Sequence, residues 1–131
     1  MAESEDIPGW SALVDWFGYD PNFHDAEVVA IDLRRDPDPS LVRVHVWRTN
    51  PDVDENGYYR MDRHALATFT IKGITASSLR WWNHQNVLAG LSAGRTDAGC
   101  FLSLGGEHGV DGEIEAAEIS VSVDAYEPVD R

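Results

Sequence analysis

Glu27-Val28-Val29-Ala30-Ile31-Asp32-Leu33-Arg34 decides the fold class. Apolar Val29, Ile31 and Leu33 alternate with Val28, Ala30, Asp32 and Arg34, the period of two that marks a half-buried strand. Asp36-Pro37-Asp38-Pro39-Ser40 follows as a turn in which proline cannot pair, and Val42, Val44 and Val46 begin a return strand. The same alternation recurs in Ala65-Leu66-Ala67-Thr68-Phe69-Thr70-Ile71-Lys72. Further strands are expected over 78–82, with Leu79 and Trp81 on one face, over 87–92, over 100–104 and over 113–124. In the last, the alternation slips by one residue near Ala117, as a β-bulge would make it.

Upstream the period is near four. Trp10, Leu13, Val14 and Phe17 form a helical stripe over 10–17, with Gly18 placed to end it in the left-handed conformation. No strand alternates with a long helix, so βαβ units are not expected. The reading is a mainly β (α+β) single domain over 1–131. It consists of one twisted antiparallel sheet of about seven strands with a short N-terminal helix, the stretch up to about Ile7 being disordered. The covered face should carry Val29, Ile31, Val44, Phe69, Leu91, Leu102 and Val121.

A chain of 131 residues carries enough apolar surface to fold without a disulfide or metal. Its one cysteine, Cys100, sits in an apolar strand pattern and reads as a small buried hydrophobe. The acidic N-terminus has no basic n-region or apolar h-region, and no apolar run reaches the length of a membrane span, which points to the cytosol. The net charge of −13 opposes binding to nucleic acid and anionic membranes, and would draw in a basic protein.

Chemical motifs are weak. Asp52-x-Asp54-x-Asn56-Gly57 copies half of an EF-hand loop, but Arg63 stands where calcium needs a bidentate carboxylate. The five histidines show no close ligand pair of the zinc type. His24, Asp25, Glu27 and His84 form the one set from which a metal-dependent or acid/base enzyme could be built. The leaner expectation is a chain without cofactor or catalytic residues. On that view Trp16, Phe17 and Phe23 partly bury His24, and the side chains of Asn83-His84-Gln85-Asn86 serve local backbone groups. For partner contact, the acidic cluster Asp52, Asp54 and Glu55 and the aromatic residues Trp47, Tyr58, Tyr59 and Trp82 are the candidates.

Trp16-Phe17-Gly18-Tyr19-Asp20-Pro21-Asn22-Phe23-His24-Asp25-Ala26-Glu27-Val28 resembles the opening signature of the immunity protein 50 family. Asn83-His84-Gln85-Asn86-Val87-Leu88 and Gly109-Val110-Asp111-Gly112-Glu113-Ile114-Glu115-Ala116 are similar to its later motifs. Asp20 departs from the pattern, in which an aromatic residue precedes the proline. The resemblance implies a bacterial polymorphic-toxin immunity protein, which binds and blocks a cognate toxin, often a nuclease. It assigns no role to His24, Asp25, Glu27, Asn83, His84, Gln85 or Asn86. A domain of unrelated role that shares only the fold is the remaining alternative.

Overall fold

The computed structural model describes residues 6–35, 38–53, 57 and 59–127, without the side chains of 49–53 and 59–62. Helix α1 spans Trp10–Phe17, followed by strands β1 (Glu27–Asp32), β2 (Ser40–Val53), β3 (Tyr59–Ser77), β4 (Val87–Thr96), β5 (Gly99–His108) and β6 (Gly112–Ala125). All pairings are antiparallel, in the order β1-β2-β3-β6-β5-β4, and β4 meets β1 to close a barrel. Two three-stranded meanders, β1-β2-β3 and β4-β5-β6, are joined along β3–β6 and along β1–β4.

The helix forms where its stripe requires. Trp10, Leu13 and Phe17 are buried, and Gly18 ends it at φ 81 with its N–H donating to Val14 O at 2.7 Å. It lies against β6 and β3, with the Trp10 ring 5.9 Å from Phe23 and 6.4 Å from Phe69. The Trp10 indole N–H donates to Asp20 Oδ1 at 2.8 Å, so the unusual Asp20 supplies the acceptor that a buried indole needs. Ile7 is buried and its carbonyl accepts from Trp10 N, which overturns the expected disorder at that residue; residues 1–5 lie outside the described ones.

Inside the barrel, Val42, Val44, Ala65, Ala67, Phe69, Ile71, Leu88, Leu102 and Ile114 are fully buried. Cys100 is buried too, its Sγ 3.8 Å from Ala117 O. Val44, Phe69, Leu102 and Val121 face the core as expected, while Ile31 and Leu91 are partly buried at its margin. Val29 does not. A register shift between Val28 and Ala30 turns Val28 inward and leaves Val29 41% exposed. A bulge is set by pairing across strands, which a run of three apolar residues conceals.

There are six strands, not about seven. Gly73 does not end the third strand: β3 continues to Ser77, and the expected strand over 78–82 reduces to one bridge, Arg80↔Asp111. Leu79 packs on the core, whereas Trp81 is 67% exposed at φ 63. The slip near Ala117 is present as a change of buried face from Ala116 to Ile119, matched on β3 by a change from Ile71 to Ile74. Pairing holds one register through it, from Lys72↔Glu118 to Ile74↔Ala116, and the shift in the ladder falls between Ile74 and Ala76. Strand β5 extends beyond the expected 100–104 through Gly105 and Gly106 to His108.

Two substitutions separate these phases. Phe69→Ala should cost about 3–5 kcal/mol by urea denaturation, and Val29→Ala less than about 0.5 kcal/mol, because only the first leaves a cavity.

Candidate functional site

The barrel closes at a narrow seam. Strands β1 and β4 share the single register pair Glu27↔Val87, flanked by Asp25 N–H to Leu88 O, Leu88 N–H to Ala26 O and Val28 N–H to Asn86 O at 2.8–3.0 Å. Beyond Glu27, no strand pairs with β1 on this side among the described residues. The gap is a cleft of about 430 Å³ lined by Glu27, Val28 and Val29 on one wall and by residues 82–87 on the other.

The second wall is held by its own asparagines. Asn86, 3% exposed, accepts at Oδ1 from Asn83 N at 2.9 Å and from Val110 N at 3.1 Å, and its amide donates to Asn83 O. Asn83 Oδ1 accepts from Gln85 N and Asn86 N at 2.8 and 3.0 Å. Asn86 takes φ 50, which asparagine tolerates better than most residues. Gly109 is required beside them: at φ 122, a Cβ there would lie 2.6 and 2.7 Å from the two amide oxygens. The expectation that this loop serves its own backbone therefore holds for Asn83 and Asn86, while His84 and Gln85 are left exposed at the cleft.

Segment 78–82 is tied down in turn. Arg80 and Asp111 exchange both backbone hydrogen bonds, at 2.9 and 3.0 Å, and Arg80 Nη2 reaches Asp111 Oδ2 at 3.2 Å. Asp111 Oδ1 also accepts from Gly106 N at 2.9 Å. The Gly106 bond is the largest cause that holds the Asp111 carboxyl below its ordinary 3.8; burial opposes it in part, and the Arg80 side chain lowers it a little further. The Arg80 guanidinium covers the Trp81 ring at 4.4 Å, and the chain then turns Trp82, 52% exposed, into the cleft.

On the first wall, Glu27 leads to a buried histidine. Glu27 lies directly across from His45 in the β1–β2 register, and His64 is two residues before Leu66, the partner of His45 on β3. Glu27 Oε1 lies 3.0 Å from His45 Nδ1, and His45 Nε2 lies 2.9 Å from His64 Nδ1. With Glu27 ionised, His45 donates through Nδ1–H; a neutral His45 then accepts at Nε2 from His64, and a protonated one donates to it. Trp47 and Tyr126 cover the His45 ring at 4.9 and 4.8 Å, leaving it 5% exposed. The carboxylate is thereby held from behind while its side chain stays 45% exposed.

The sequence-derived residues separate accordingly. His24, Asp25, Glu27 and His84 do not converge. His24 and Asp25 approach Glu107, the three exposed side chains offering ligand atoms within 4.8 Å of one another, while Glu27 and His84 line the cleft. The aromatic burial of His24 fails: its side chain is 58% exposed, with Nδ1 3.1 Å from Ala89 O, while Phe17 and Phe23 turn into the core and Trp16 donates to Arg63 O. Trp47 packs on histidines, and Trp82 alone of the aromatic candidates is seen at the cleft. Asp54, Glu55 and Tyr58, with the side chains of Asp52 and Tyr59, lie outside the described residues.

His45, His64 and Glu107 were missed. The hairpin gave no direct signal for the first: the pairs from Ala30↔Arg43 to Asp32↔Leu41 would set Glu27 opposite Val46, and the bulge between Val28 and Ala30 brings it to His45 instead. Comparison with known proteins adds nothing to this geometry. No family model, curated protein or solved structure matches the chain. Among the described residues no helix is long and apolar enough to cross a membrane.

Titration of the Asp111 carboxyl by ¹³C NMR should give a pKa below 3.8, still below it in Arg80→Ala, because the Gly106 bond is the larger cause. Since the folded value is depressed, Asp111 stabilises the fold above the ordinary carboxylate range. That contribution disappears as pH falls through 3.8 and below. Gly109→Ala should destabilise by about 1–3 kcal/mol and shift the amide signals of Asn83 and Asn86, since something in the loop must move.

Proposed function

We propose that this chain is an immunity-type binding protein that neutralises a cognate toxin by stoichiometric cover, with the seam cleft as part of the contact surface. One observation carries the reading. Two of the segments that bear the resemblance to immunity proteins are 16–28 and 83–88. Glu27 and Val28, at the end of the first, and residues 83–87 of the second line opposite walls of one cleft although they are far apart in sequence. Exposed Trp82 and Val29 give that cleft apolar surface, and Glu27 gives it a negative charge. Half-exposed tryptophan beside fixed polar groups is the composition of an interface anchor.

The charge of −13 favours a basic partner. A nuclease holds phosphates in a basic cleft, so an acidic inhibitor can meet that field and compete for the same surface. Charge then governs approach, and the anchor governs residence.

The test is binding and neutralisation of the toxin encoded by a neighbouring gene. A 1:1 complex should form, and Trp82→Ala should weaken it tenfold or more, while His24→Ala changes affinity less than threefold. Raising salt from 50 to 500 mM should slow association markedly, as the Debye length falls from roughly 14 to about 4 Å. A toxin left fully active by excess protein would overturn the reading.

A further inference from the structure

We propose that the seam cleft is a receptor for an arginine side chain of the protein partner, the guanidinium pairing with the Glu27 carboxylate and lying against the Trp82 indole. The inference rests on the binding-protein reading and names the side chain that its cleft accepts.

Glu27 is the single formally charged residue in the lining. Among the described residues its ion-pair contact is His45, on one oxygen, Oε1. Two guanidinium groups are committed elsewhere: Arg34 to Asp32 at 3.0 Å and Arg80 to Asp111 at 3.2 Å. A carboxylate held at one oxygen by a buried histidine, its side chain 45% exposed and lining the cleft, is preorganised for a cation that arrives there.

The tryptophans show which cation. This chain already places a guanidinium on the indole face of Trp81, at 4.4 Å. Trp82 carries no ring or cation contact among the described residues and is half exposed in the same cleft as Glu27. An aromatic face beside a carboxylate suits arginine better than lysine, since the guanidinium is planar, weakly hydrated and stacks while it hydrogen-bonds. The side-chain oxygens of Asn83 and Asn86 already accept two backbone N–H groups each, which leaves Glu27 as the strong acceptor for a cation in the cleft. At about 430 Å³ the cleft has room for one long side chain with water.

The experiment is an NMR titration of the full ¹⁵N-labelled chain with N-acetyl-arginine methylamide, against the citrulline analogue, which has the same shape without the charge. The arginine compound should shift the Trp82 indole N–H and the Val87 amide saturably, with a dissociation constant on the order of millimolar. The citrulline compound should bind at least about tenfold more weakly, the loss of one ion pair. Glu27→Gln should abolish the difference between the two compounds. Should that variant lose its folded spectrum, Trp82→Ala, at an exposed position, should weaken arginine binding at least fivefold with the other signals in place. Equal binding of both compounds, or shifts away from the cleft, would overturn the proposal. If arginine fails to bind while Trp82→Ala still weakens the toxin complex, the receptor falls and the binding-protein reading stands. If arginine binds and no toxin does, the reading falls and the receptor stands.

Discussion

An antiparallel sheet of six strands has two edges, and unpaired edges invite association with other chains. This chain removes them by bringing β4 to β1, and almost everything at the candidate site follows from how little contact makes that closure. The β3–β6 ladder runs from Ala65↔Ala125 to Ser77↔Ile114, whereas on the β1–β4 side only one register pair and a few backbone hydrogen bonds join the meanders. Their geometry depends on Asn86, whose carbonyl accepts from Val28 and whose side chain is buried against Asn83 and Val110. A longer β1–β4 ladder would fill the cleft with backbone; a shorter one would open the barrel.

The wall residues divide into those that build the cleft and those that face it. Asn83, Asn86, Gly109 and the Arg80–Asp111 bridge fix the loop, and His45 fixes Glu27. Trp82, His84, Gln85 and Val29 are left at the surface. Rigid support beneath exposed groups reduces the entropy lost on binding, which lets a small contact area hold a partner. The buried histidine has a second consequence. Because His45 lies behind Trp47 and Tyr126, it positions the carboxylate without itself meeting a ligand.

Local pattern made much of the fold legible. Helix α1 and the β2, β3 and β6 cores follow from periods of four and two, which each segment displays by itself. What stayed hidden depends on pairing between distant segments. Val28-Val29-Ala30 is apolar in both phases, so the bulge that exposes Val29 left no trace in composition. Closure into a barrel depends on β4 crossing to β1 rather than staying beside β3, and no property of segment 78–86 fixes that destination. The site was legible in part, since His24, Asp25, Glu27 and residues 83–86 were singled out as one group. The fold divides them, sending His24 and Asp25 toward Glu107 and Glu27 into the cleft. Side-chain direction at a seam is set by strand register, which charge and spacing in the sequence do not encode.

The proposal that a partner contacts the seam is tested most directly by hydrogen–deuterium exchange of the chain alone and saturated with the toxin proposed as its partner. The account predicts that protection gained on binding maps to residues 27–29 and 82–87, with the helix α1 amides unchanged. Protection confined to the β2–β3 end of the barrel or to α1, with the seam exchanging as in the free chain, would contradict it.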